Sequence, residues 1–367
     1  MRLALPIKPN GKIKYLQCIR CGETYPVDDY FEGCPKCRDE GKPANLTFVY
    51  AEYGKECPLP YDSYSSLGEG NTPLLPVFDE FPSFYLKYEG RNPSGSHKDR
   101  MSAMIVTRAA EKGYEGVAVA TSGNAGLSLA SYCAYFGLKC AVIATKDLNP
   151  QVRRFLEAYG AEIHLTDTPM ERWEILKRKK EEGFYPGSNY SNPPVGTVHF
   201  GVQGYKAVAY EIVGQLKGTV PDKVLVPASR GDLLWGVWLG FKEMKQADPS
   251  LALPAMIACE PFARLSRVLD GEDYTRSFPG ETALKSIDGT TVTYQAVKAL
   301  RESNGFAVEI SNEEAEAARK ELAKRGILLE LSSAASYGAY KKLRKNGAVG
   351  EEEVVVAIGT SSGFVEI

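Results

Sequence analysis

The sequence predicts an α/β protein in which a parallel sheet is covered by helices on both faces. From Gly116 onward, short apolar runs alternate with stretches of helical character, as in repeated strand and helix units. The runs are continuous rather than alternating with polar residues, which is typical of strands buried on both faces. They cover residues 117–120, 140–144, 163–165, 224–227, 255–259 and 354–358. The predicted fold class is therefore α/β with a doubly wound sheet.

Length and composition limit the class of protein. A chain of 367 residues is long enough for about two domains. Apolar residues make up 44% and charged residues 25%, which excludes disordered and fibrous proteins. The 44 Lys and Arg nearly balance the 46 Asp and Glu, so neither nucleic acid nor a membrane surface is expected as a partner. Without a long apolar run or a secretory signal, a cytoplasmic protein that acts on a small molecule is expected.

Four of the eight cysteines form two CxxC pairs about a dozen residues apart, in a segment rich in Gly, Pro and charge. Two such pairs can place four thiolates around one Zn²⁺. Because four thiolates leave no position for water, this metal is expected to be structural, with iron as an open alternative. Disulfides are disfavoured in a reducing cytoplasm, and a redox CxxC needs a βαβ context that is absent here. The predicted ligands are Cys18, Cys21, Cys34 and Cys37.

The later elements follow in order along the chain. Strand 117–120 is followed by the turn Thr121-Ser122-Gly123-Asn124 and a helix through Phe136. Strand 224–227 leads into a turn over residues 228–232 and a helix that begins near Leu233. A helix over 312–324 is predicted with a capping box between Ser311 and Glu314. Ligands of open α/β sheets bind at the turns that follow strands, so these turns are where chemistry is expected.

Lys98 lies in the segment Asn92-Pro-Ser-Gly-Ser-His-Lys-Asp-Arg100, ahead of an amphipathic helix predicted to run to about Lys112. The N-terminus of a helix carries about half a positive charge, which disfavours an ammonium group there and lowers its pKa. A neutral amine is the form that attacks an aldehyde, so Lys98 is a candidate nucleophile. A solvated lysine beside an Asp and an Arg is the alternative.

Two other motifs are set aside. The glycines near Gly90 have the spacing of a phosphate loop, but Ser96 and His97 stand where a Walker motif requires lysine. Gly359-Thr-Ser-Ser-Gly363 has the form of a hydrolase nucleophile elbow. Such an elbow is followed by an acidic residue and a histidine, whereas all three histidines of this chain come earlier. A serine hydrolase is therefore the weakest alternative.

The order of motifs resembles that of the fold-type-II pyridoxal-phosphate enzymes, and most closely the threonine synthases among them. Glu69-Gly-Asn-Thr-Pro-Leu74 is similar to a conserved motif of that family, and Asn92–Arg100 is similar to its segment around the lysine that forms a Schiff base with the cofactor. Residues 330–335 and 360–363 resemble two further family motifs. The likeness runs from Glu69 to the C-terminus, and the cysteine-rich segment resembles the zinc ribbon of many threonine synthases.

The resemblance implies the tryptophan synthase β-like fold, with two doubly wound α/β lobes. Residues 1–49 would form the zinc-ribbon-like segment, residues 50–95 with 207–367 the large cofactor-binding domain, and residues 96–206 a small mobile domain. Lys98 takes the place of the catalytic, cofactor-binding lysine. Asn124 would lie beside the phenolic oxygen of the cofactor, and a hydroxyl of Thr360 or Ser361 would meet its pyridine nitrogen. Thr121, Ser122 and Gly123 would bind the α-carboxylate of the substrate.

The region expected to bind the cofactor phosphate departs from the family pattern. A glycine-rich loop is usual there, whereas this chain has Ala228, Ser229, Arg230, Gly231 and Asp232. Arg230 can make a charge-assisted contact with phosphate, but Asp232 would repel it unless turned away. His97 and Tyr205 also replace residues usual in the family. His97 can form a hydrogen bond or simply pack against the wall of the cofactor pocket.

The implied activity is that of a pyridoxal-phosphate-dependent lyase, a threonine synthase that converts O-phosphohomoserine and water into threonine and phosphate. Alternatives are replacement at Cβ of O-phosphoserine, elimination of ammonia from an amino acid, and a non-catalytic binding protein on the same scaffold. A homodimer is expected. The candidates for contacts to an anionic leaving group, taken from motif position alone, are Ser94, Arg100, Ser188, Asn189 and Lys206.

Overall fold

The computed structural model describes residues 6–77 and 83–366, which form two compact units. The first unit contains residues 6–52, 58–69 and 98–204. The second contains residues 53–57, 70–77, 83–97 and 205–366. Each unit is therefore assembled from separate stretches of chain. The predicted division at residues 49, 95 and 206 stays a prediction.

Fifteen strands lie in the described residues: β1 Lys8–Pro9, β2 Ile13–Cys18, β3 Thr24–Tyr25, β4 Leu46–Tyr50, β5 Tyr61–Ser63, β6 Leu74–Pro76, β7 Phe84–Tyr88, β8 Gly116–Ala120, β9 Lys139–Thr145, β10 Glu162–Thr166, β11 Phe184–Pro186, β12 Lys223–Pro227, β13 Ala255–Glu260, β14 Phe306–Glu309 and β15 Val355–Gly359.

The α-helices of the same residues are α1 Pro35–Asp39, α2 Lys98–Glu111, α3 Asn124–Phe136, α4 Pro150–Ala158, α5 Pro169–Glu181, α6 His199–Gln203, α7 Ala207–Gln215, α8 Asp232–Ala247, α9 Leu265–Leu269, α10 Tyr294–Glu302, α11 Asn312–Lys324 and α12 Leu331–Lys345. None of these helices is long and apolar enough to cross a membrane.

The first unit contains a four-stranded parallel sheet in the order β10-β9-β8-β11. Its central strands β8 and β9 are buried almost throughout. Helix α3 connects them. It is terminated by Gly137, the residue after its end, whose φ of 72° is one that glycine adopts without strain. The carboxyl ends of the neighbouring strands β8 and β11 meet at one edge of this sheet.

The cysteine-rich segment belongs to the same unit. It forms a three-stranded antiparallel sheet in the order β3-β2-β4, and its one helix, α1, has five residues. The short helix α1 lies between β3 and β4 and contains Cys37. A segment this small buries little apolar surface, so it needs support from a metal or from its neighbours.

The second unit contains a six-stranded sheet in the order β14-β13-β12-β15-β7-β6. All neighbouring strands are parallel except the pair β6 and β7. Strands β7, β15 and β12 are adjacent, so the turns that follow them lie along the same edge of the sheet. One hydrophobic core, with Leu86, Leu225 and Ala357 at its strands, holds α11 and α12 against this sheet.

The predicted fold class is confirmed. Each of the six apolar runs lies within or overlaps a parallel strand, and α11 begins with the capping box of Ser311 and Glu314. Helix α2 ends at Glu111, one residue before the predicted end, and α8 begins at Asp232, one residue before the predicted start.

Candidate active site

Lys98 is the first residue of α2, and it is half-buried. The residue before it, His97, belongs to the second unit, where its backbone N–H donates to the Thr360 carbonyl over 2.9 Å. The His97 ring lies 5.5 Å from the ring of Tyr205, and its Nδ1 lies 3.2 Å from the same carbonyl oxygen. His97 is thus fastened to the turn after β15, one residue from Lys98.

The turn after β15 is held in place on two sides. Its residues pair with Ser96 on one side and Leu329 on the other. The Ser361 N–H donates to the Ser333 hydroxyl over 3.1 Å, and the Ser361 carbonyl accepts from the Glu330 N–H over 3.2 Å. Thr360 and Ser361 are therefore buried next to the segment that leads into Lys98.

A buried acid, Glu89, connects the Gly70–Pro73 segment with the loop that precedes Lys98. Its carboxylate accepts from the Thr72 hydroxyl over 2.6 Å and from the Asn92 amide over 2.9 Å. The Asn92 side-chain oxygen in turn accepts from the Gly70 N–H over 2.9 Å. Sequence reasoning did not select Glu89, although a carboxylate directly after an apolar strand is a signal for a buried polar network.

The turn after β12 has the geometry of an anion site. Gly231 has φ 90°, and a Cβ placed there would lie 2.3 Å from Ala296 Cβ, so only glycine fits. Helix α8 starts at the next residue, and no side chain caps its first N–H groups. Such backbone donors at a helix N-terminus bind phosphate. Gly231, the one glycine of this turn, occupies the position whose backbone conformation requires glycine.

Charged residues around this turn favour a phosphate. The Arg264 guanidinium, fully buried, donates to the Ala228 carbonyl over 2.8 Å. Burial, with a smaller effect of the charge of Arg230, lowers the pKa of Arg264 to about 10, although the carboxylate of Glu260 opposes this shift. The Arg230 guanidinium donates to the Thr291 hydroxyl over 3.2 Å. Two guanidinium groups near one loop fit a dianion.

Asp232 is the residue of this turn that would repel a phosphate unless turned away. Its carboxylate accepts a hydrogen bond from the Gln295 amide of α10, which fixes its position and leaves its charge. The groups that fit the phosphate of pyridoxal phosphate are the backbone N–H donors at the start of α8 and the Arg230 guanidinium.

A second set of polar groups lies at the sheet edge of the first unit. The Thr121 hydroxyl accepts from the Gly123 and Gly126 N–H groups over 3.0 and 3.3 Å, and the Thr121 carbonyl accepts from Arg172 over 2.7 Å. Helix α3 then begins at Asn124 after Gly123, which has no side chain to cap it, and the Thr121 hydroxyl accepts from one N–H of its first turn, that of Gly126. Its N-terminus fits a carboxylate. Ser122 is exposed and Gly123 is buried.

Ser188 and Asn189 lie at the same sheet edge as the 121–124 turn. The Ser188 hydroxyl accepts from the Ala120 N–H over 3.0 Å. Asn189 is buried, and its side chain bonds to Ser191 and Val195 within its own loop. Asn189 therefore shapes this loop. Direct contact of Ser188, Ser94 or Arg100 with a substrate stays a prediction.

Lys206 needs a correction. It is fully buried in the second unit, and its ammonium group donates to Glu243 over 2.9 Å. Burial raises the pKa of Glu243 to about 7, although Lys206 pulls it down. A lysine so enclosed with a carboxylate is a structural ion pair. We therefore withdraw it from the substrate-binding residues; its partner, 37 positions away, could not be inferred from the motif.

The four predicted metal ligands come together. Their Sγ atoms all lie within 4.8 Å of one another, and the closest pairs are Cys18 with Cys37 at 3.6 Å and Cys21 with Cys34 at 3.7 Å. Four thiolates about 2.3 Å from a tetrahedral zinc ion would be about 3.8 Å apart. All four are free thiols, so the donor set fits a structural zinc ion.

Comparison with known proteins agrees with this geometry. Residues 65–361 match the family described as pyridoxal-phosphate dependent enzyme. The chain is 32% identical to the threonine synthase of Methanocaldococcus jannaschii, over 95% of this chain and 92% of that protein. It is 31% identical to the threonine synthase of Halalkalibacterium halodurans, over 81% and 83%. The structure of an L-serine ammonia-lyase from Rhizomucor miehei has a TM-score of 0.67 at 22% identity, over 80% of this chain and 94% of that one.

The family match and the threonine synthase relatives define a pyridoxal-phosphate-dependent lyase of fold type II. The chain belongs to the pyridoxal-phosphate dependent enzyme family. The resemblance found in the motifs is thereby confirmed.

Proposed function

We propose that this enzyme is a threonine synthase, which converts O-phosphohomoserine and water into threonine and phosphate. The observation that carries the proposal is the extent of the likeness to the Methanocaldococcus jannaschii threonine synthase. At 95% of the chain, it takes in the cysteine-rich segment as well as the catalytic scaffold. The relatives that act on serine share the fold at lower identity.

Pyridoxal phosphate, when bound, supplies an aldehyde for covalent attachment and an aromatic ring that withdraws electrons from the substrate. We assign its attachment to Lys98 Nζ. The turn at residues 228–232 would hold its phosphate through backbone N–H groups and Arg230, supported by Arg264. The hydroxyl of Thr360 or Ser361 would meet its ring nitrogen. A neutral hydroxyl at that position would leave the nitrogen unprotonated, which would favour elimination and replacement over transamination.

The remaining residues act on the substrate. The 121–124 turn and the N-terminus of α3 would bind the α-carboxylate, with Asn124 beside the phenolic oxygen of the cofactor. Lys98, as a free amine, would take the proton from Cα and serve as acid and base in the later proton transfers. Its place at the N-terminus of α2 keeps the amine neutral more readily. Ser94, Arg100 and Ser188 are proposed for the leaving phosphate.

Three further assignments are part of the proposal. Zinc occupies the four-cysteine site, as the distances between the Sγ atoms support. The enzyme acts in the cytoplasm, since four closely spaced free cysteines suit a reducing compartment. It works as a homodimer, as expected from the family it resembles.

The test is a comparison of substrates. The purified enzyme with pyridoxal phosphate receives O-phosphohomoserine, O-phosphoserine or threonine, and phosphate, ammonia and amino-acid products are measured. We expect phosphate and threonine in equal amounts from O-phosphohomoserine. Ammonia with a 2-oxo acid from threonine, without threonine formation, would assign an ammonia-lyase. Turnover of O-phosphoserine alone would assign a replacement at Cβ.

A further inference from the structure

Arg38 is one of the side chains that join the cysteine-rich segment to the loop over residues 188–195. Arg38 follows the predicted ligand Cys37 directly, on helix α1. Its guanidinium donates to the Pro193 carbonyl over 2.9 Å and to the Ser191 hydroxyl over 2.9 Å. It also donates to the Glu32 carbonyl of its own segment over 2.9 Å. One cation therefore connects α1 with the 188–195 loop.

Inside the 188–195 loop, the contact with Arg38 continues toward the predicted substrate residues. The Ser191 hydroxyl donates to Asn189 Oδ1 over 3.2 Å, and the same oxygen accepts from the Val195 N–H over 3.0 Å. The Asn189 amide donates to the Ser191 carbonyl over 2.9 Å. Ser188, next in the chain, accepts from the Ala120 N–H where β8 ends. Arg38 therefore contacts Ser191, and the hydroxyl of Ser191 in turn binds the Asn189 side chain.

Two other contacts hold the cysteine-rich segment to this part of the chain. A Cβ added at Gly33 would lie 2.5 Å from Val195 Cγ2, so the Val195 side chain packs directly against the Gly33 backbone. The Asn45 amide donates to the Thr197 carbonyl over 2.8 Å. These two contacts reach the loop at Val195 and beyond it, and the Glu32 carboxylate of the segment also acts on the Tyr190 hydroxyl in the loop. Arg38, in contrast, contacts Ser191 and Pro193.

We propose that Arg38 is a positioning residue for the substrate. It holds the 188–195 loop so that Ser188 presents its hydroxyl at the edge of the sheet, and the metal site sets the place of Arg38 by ordering α1. The segment with the cysteines then contributes to substrate recognition as well as to stability. The inference rests on the proposed function for the identity of the substrate.

The experiment compares Arg38→Met with the conservative Arg38→Lys and with Lys36→Met as a matched control. Lys36 lies on the same helix, is exposed, and contacts only the exposed Glu23 among the ion pairs described, at 3.6 Å. Three properties are measured: bound metal, amide hydrogen exchange of residues 188–195, and KM and kcat with O-phosphohomoserine.

For Arg38→Met we expect full metal content and exchange in the 188–195 loop faster by about tenfold, because hydrogen bonds from a charged donor are lost. KM should rise about tenfold, with kcat changed less than threefold. Arg38→Lys should recover part of both effects, since a lysine offers donors without the planar fork. Lys36→Met should match the wild type.

Unchanged exchange and unchanged KM in Arg38→Met would overturn the proposal. Loss of metal from that variant, with KM and kcat both reduced and no rescue by lysine, would assign Arg38 to the stability of the segment instead. The exchange measurement needs no substrate. If the wild type fails to use O-phosphohomoserine, the proposed function is wrong, and loop exchange still decides the role of Arg38.

Discussion

Among single residues, Lys98 has two features that bear on its proposed role. It starts a helix, where positive charge is disfavoured, and it follows a histidine whose backbone is bound to the turn after β15. A positive charge is disfavoured at a helix N-terminus, and the bond of His97 fixes where the chain enters α2. The helix start was accessible from sequence, whereas the bond of His97 was not, because Thr360 lies 263 positions away.

Replacing Lys98 with alanine should remove the covalent attachment of the cofactor. We expect the absorbance of the bound cofactor near the edge of the visible range to disappear, and turnover to fall by about 10⁴-fold or more. The absorbance spectrum and an assay of phosphate release check this. Circular dichroism should remain that of the wild type. A variant that keeps both colour and rate would exclude Lys98 as the attachment point.

Gly231→Ala should damage the cofactor site selectively. Alanine there would adopt a left-handed backbone and collide with Ala296, so the free energy of unfolding should fall by about 1–3 kcal/mol. Affinity for pyridoxal phosphate should also fall, by about tenfold or more. Urea denaturation and titration with the cofactor measure these effects.

The matched control for that substitution is Gly214→Ala. Gly214 lies within α7 and has open space around it, so alanine should stabilise the protein by about 0.5–1 kcal/mol. Equal effects of the two substitutions would mean that Gly231 has no special conformational role.

At the scale of elements, a buried ion pair fastens the start of α7 to α8. Lys206 precedes α7, and Glu243 lies on α8, with both side chains almost wholly buried. Burial outweighs the attraction of Lys206 and raises the pKa of Glu243 to about 7 from an ordinary 4.5. The folded protein therefore holds a proton on this carboxyl group more tightly than the unfolded chain does.

The raised pKa of Glu243 predicts how its contribution to the free energy of unfolding changes with pH. The contribution of Glu243 is largest below about pH 4.5 and is lost as the pH rises through about 7. The unfolding free energy of the wild type minus that of Glu243→Gln should therefore fall by about 3 kcal/mol over this range. Urea denaturation at a series of pH values measures the difference.

Glu302→Gln supplies a control of opposite sign. Although Glu302 is partly buried, its hydrogen bonds with Lys242, Lys298 and Trp238 lower its pKa. Its contribution is thus present at neutral pH and lost as the pH falls. A difference for Glu243 that instead grows with pH would show that attraction to Lys206 dominates.

Six strands and four helices of this fold followed from sequence, since continuous apolar runs and capping residues are local signals. The capping box of α11 and the strands β8, β9, β12, β13 and β15 are examples. Strand β7 was missed, because its apolar run is interrupted by Lys87. That lysine is buried and paired with Glu211 at 2.6 Å, a partner that lies far along the chain. Long-range polar pairs of this kind leave no periodic pattern.

The four-cysteine segment should hold one zinc ion per chain. Cys18→Ser should abolish metal binding and speed amide exchange in β2 and β4, since the segment has little apolar core of its own. Elemental analysis with exchange measurements checks this. Cys57→Ser, outside the cluster, should keep the metal. Iron in place of zinc, or a metal retained by Cys18→Ser, would contradict the assignment.

At the scale of the whole molecule, the sequence could not specify which strands are neighbours. The order β14-β13-β12-β15-β7-β6 places β7 beside β15, and residues 98–204 of the other unit lie between them in the chain. Local patterns fix strands but carry no signal for pairing across such an interval. The family resemblance supplied the split arrangement that periodicity alone did not.

Cofactor binding should stabilise the whole protein, because the cofactor binds the folded state and not the unfolded chain. At a concentration of 100 times Kd, pyridoxal phosphate should add about 2.7 kcal/mol to the free energy of unfolding. Pyridoxal, which lacks the phosphate, should add much less, because the 228–232 turn would then contribute nothing. Thermal or urea denaturation with each compound measures this. Equal stabilisation by both compounds would show that the 228–232 turn does not bind the phosphate.

The pairing of β7 with β15 also has a consequence for synthesis on the ribosome. The strands β8 to β11 of the first unit emerge one after another and can form their sheet while translation continues. Strand β7 leaves the exit tunnel earlier, yet its parallel neighbour β15 is encoded far downstream. Until β15 arrives, one edge of β7 stays open to wrong partners. Nascent chains of this enzyme are therefore expected to depend on chaperones during that interval.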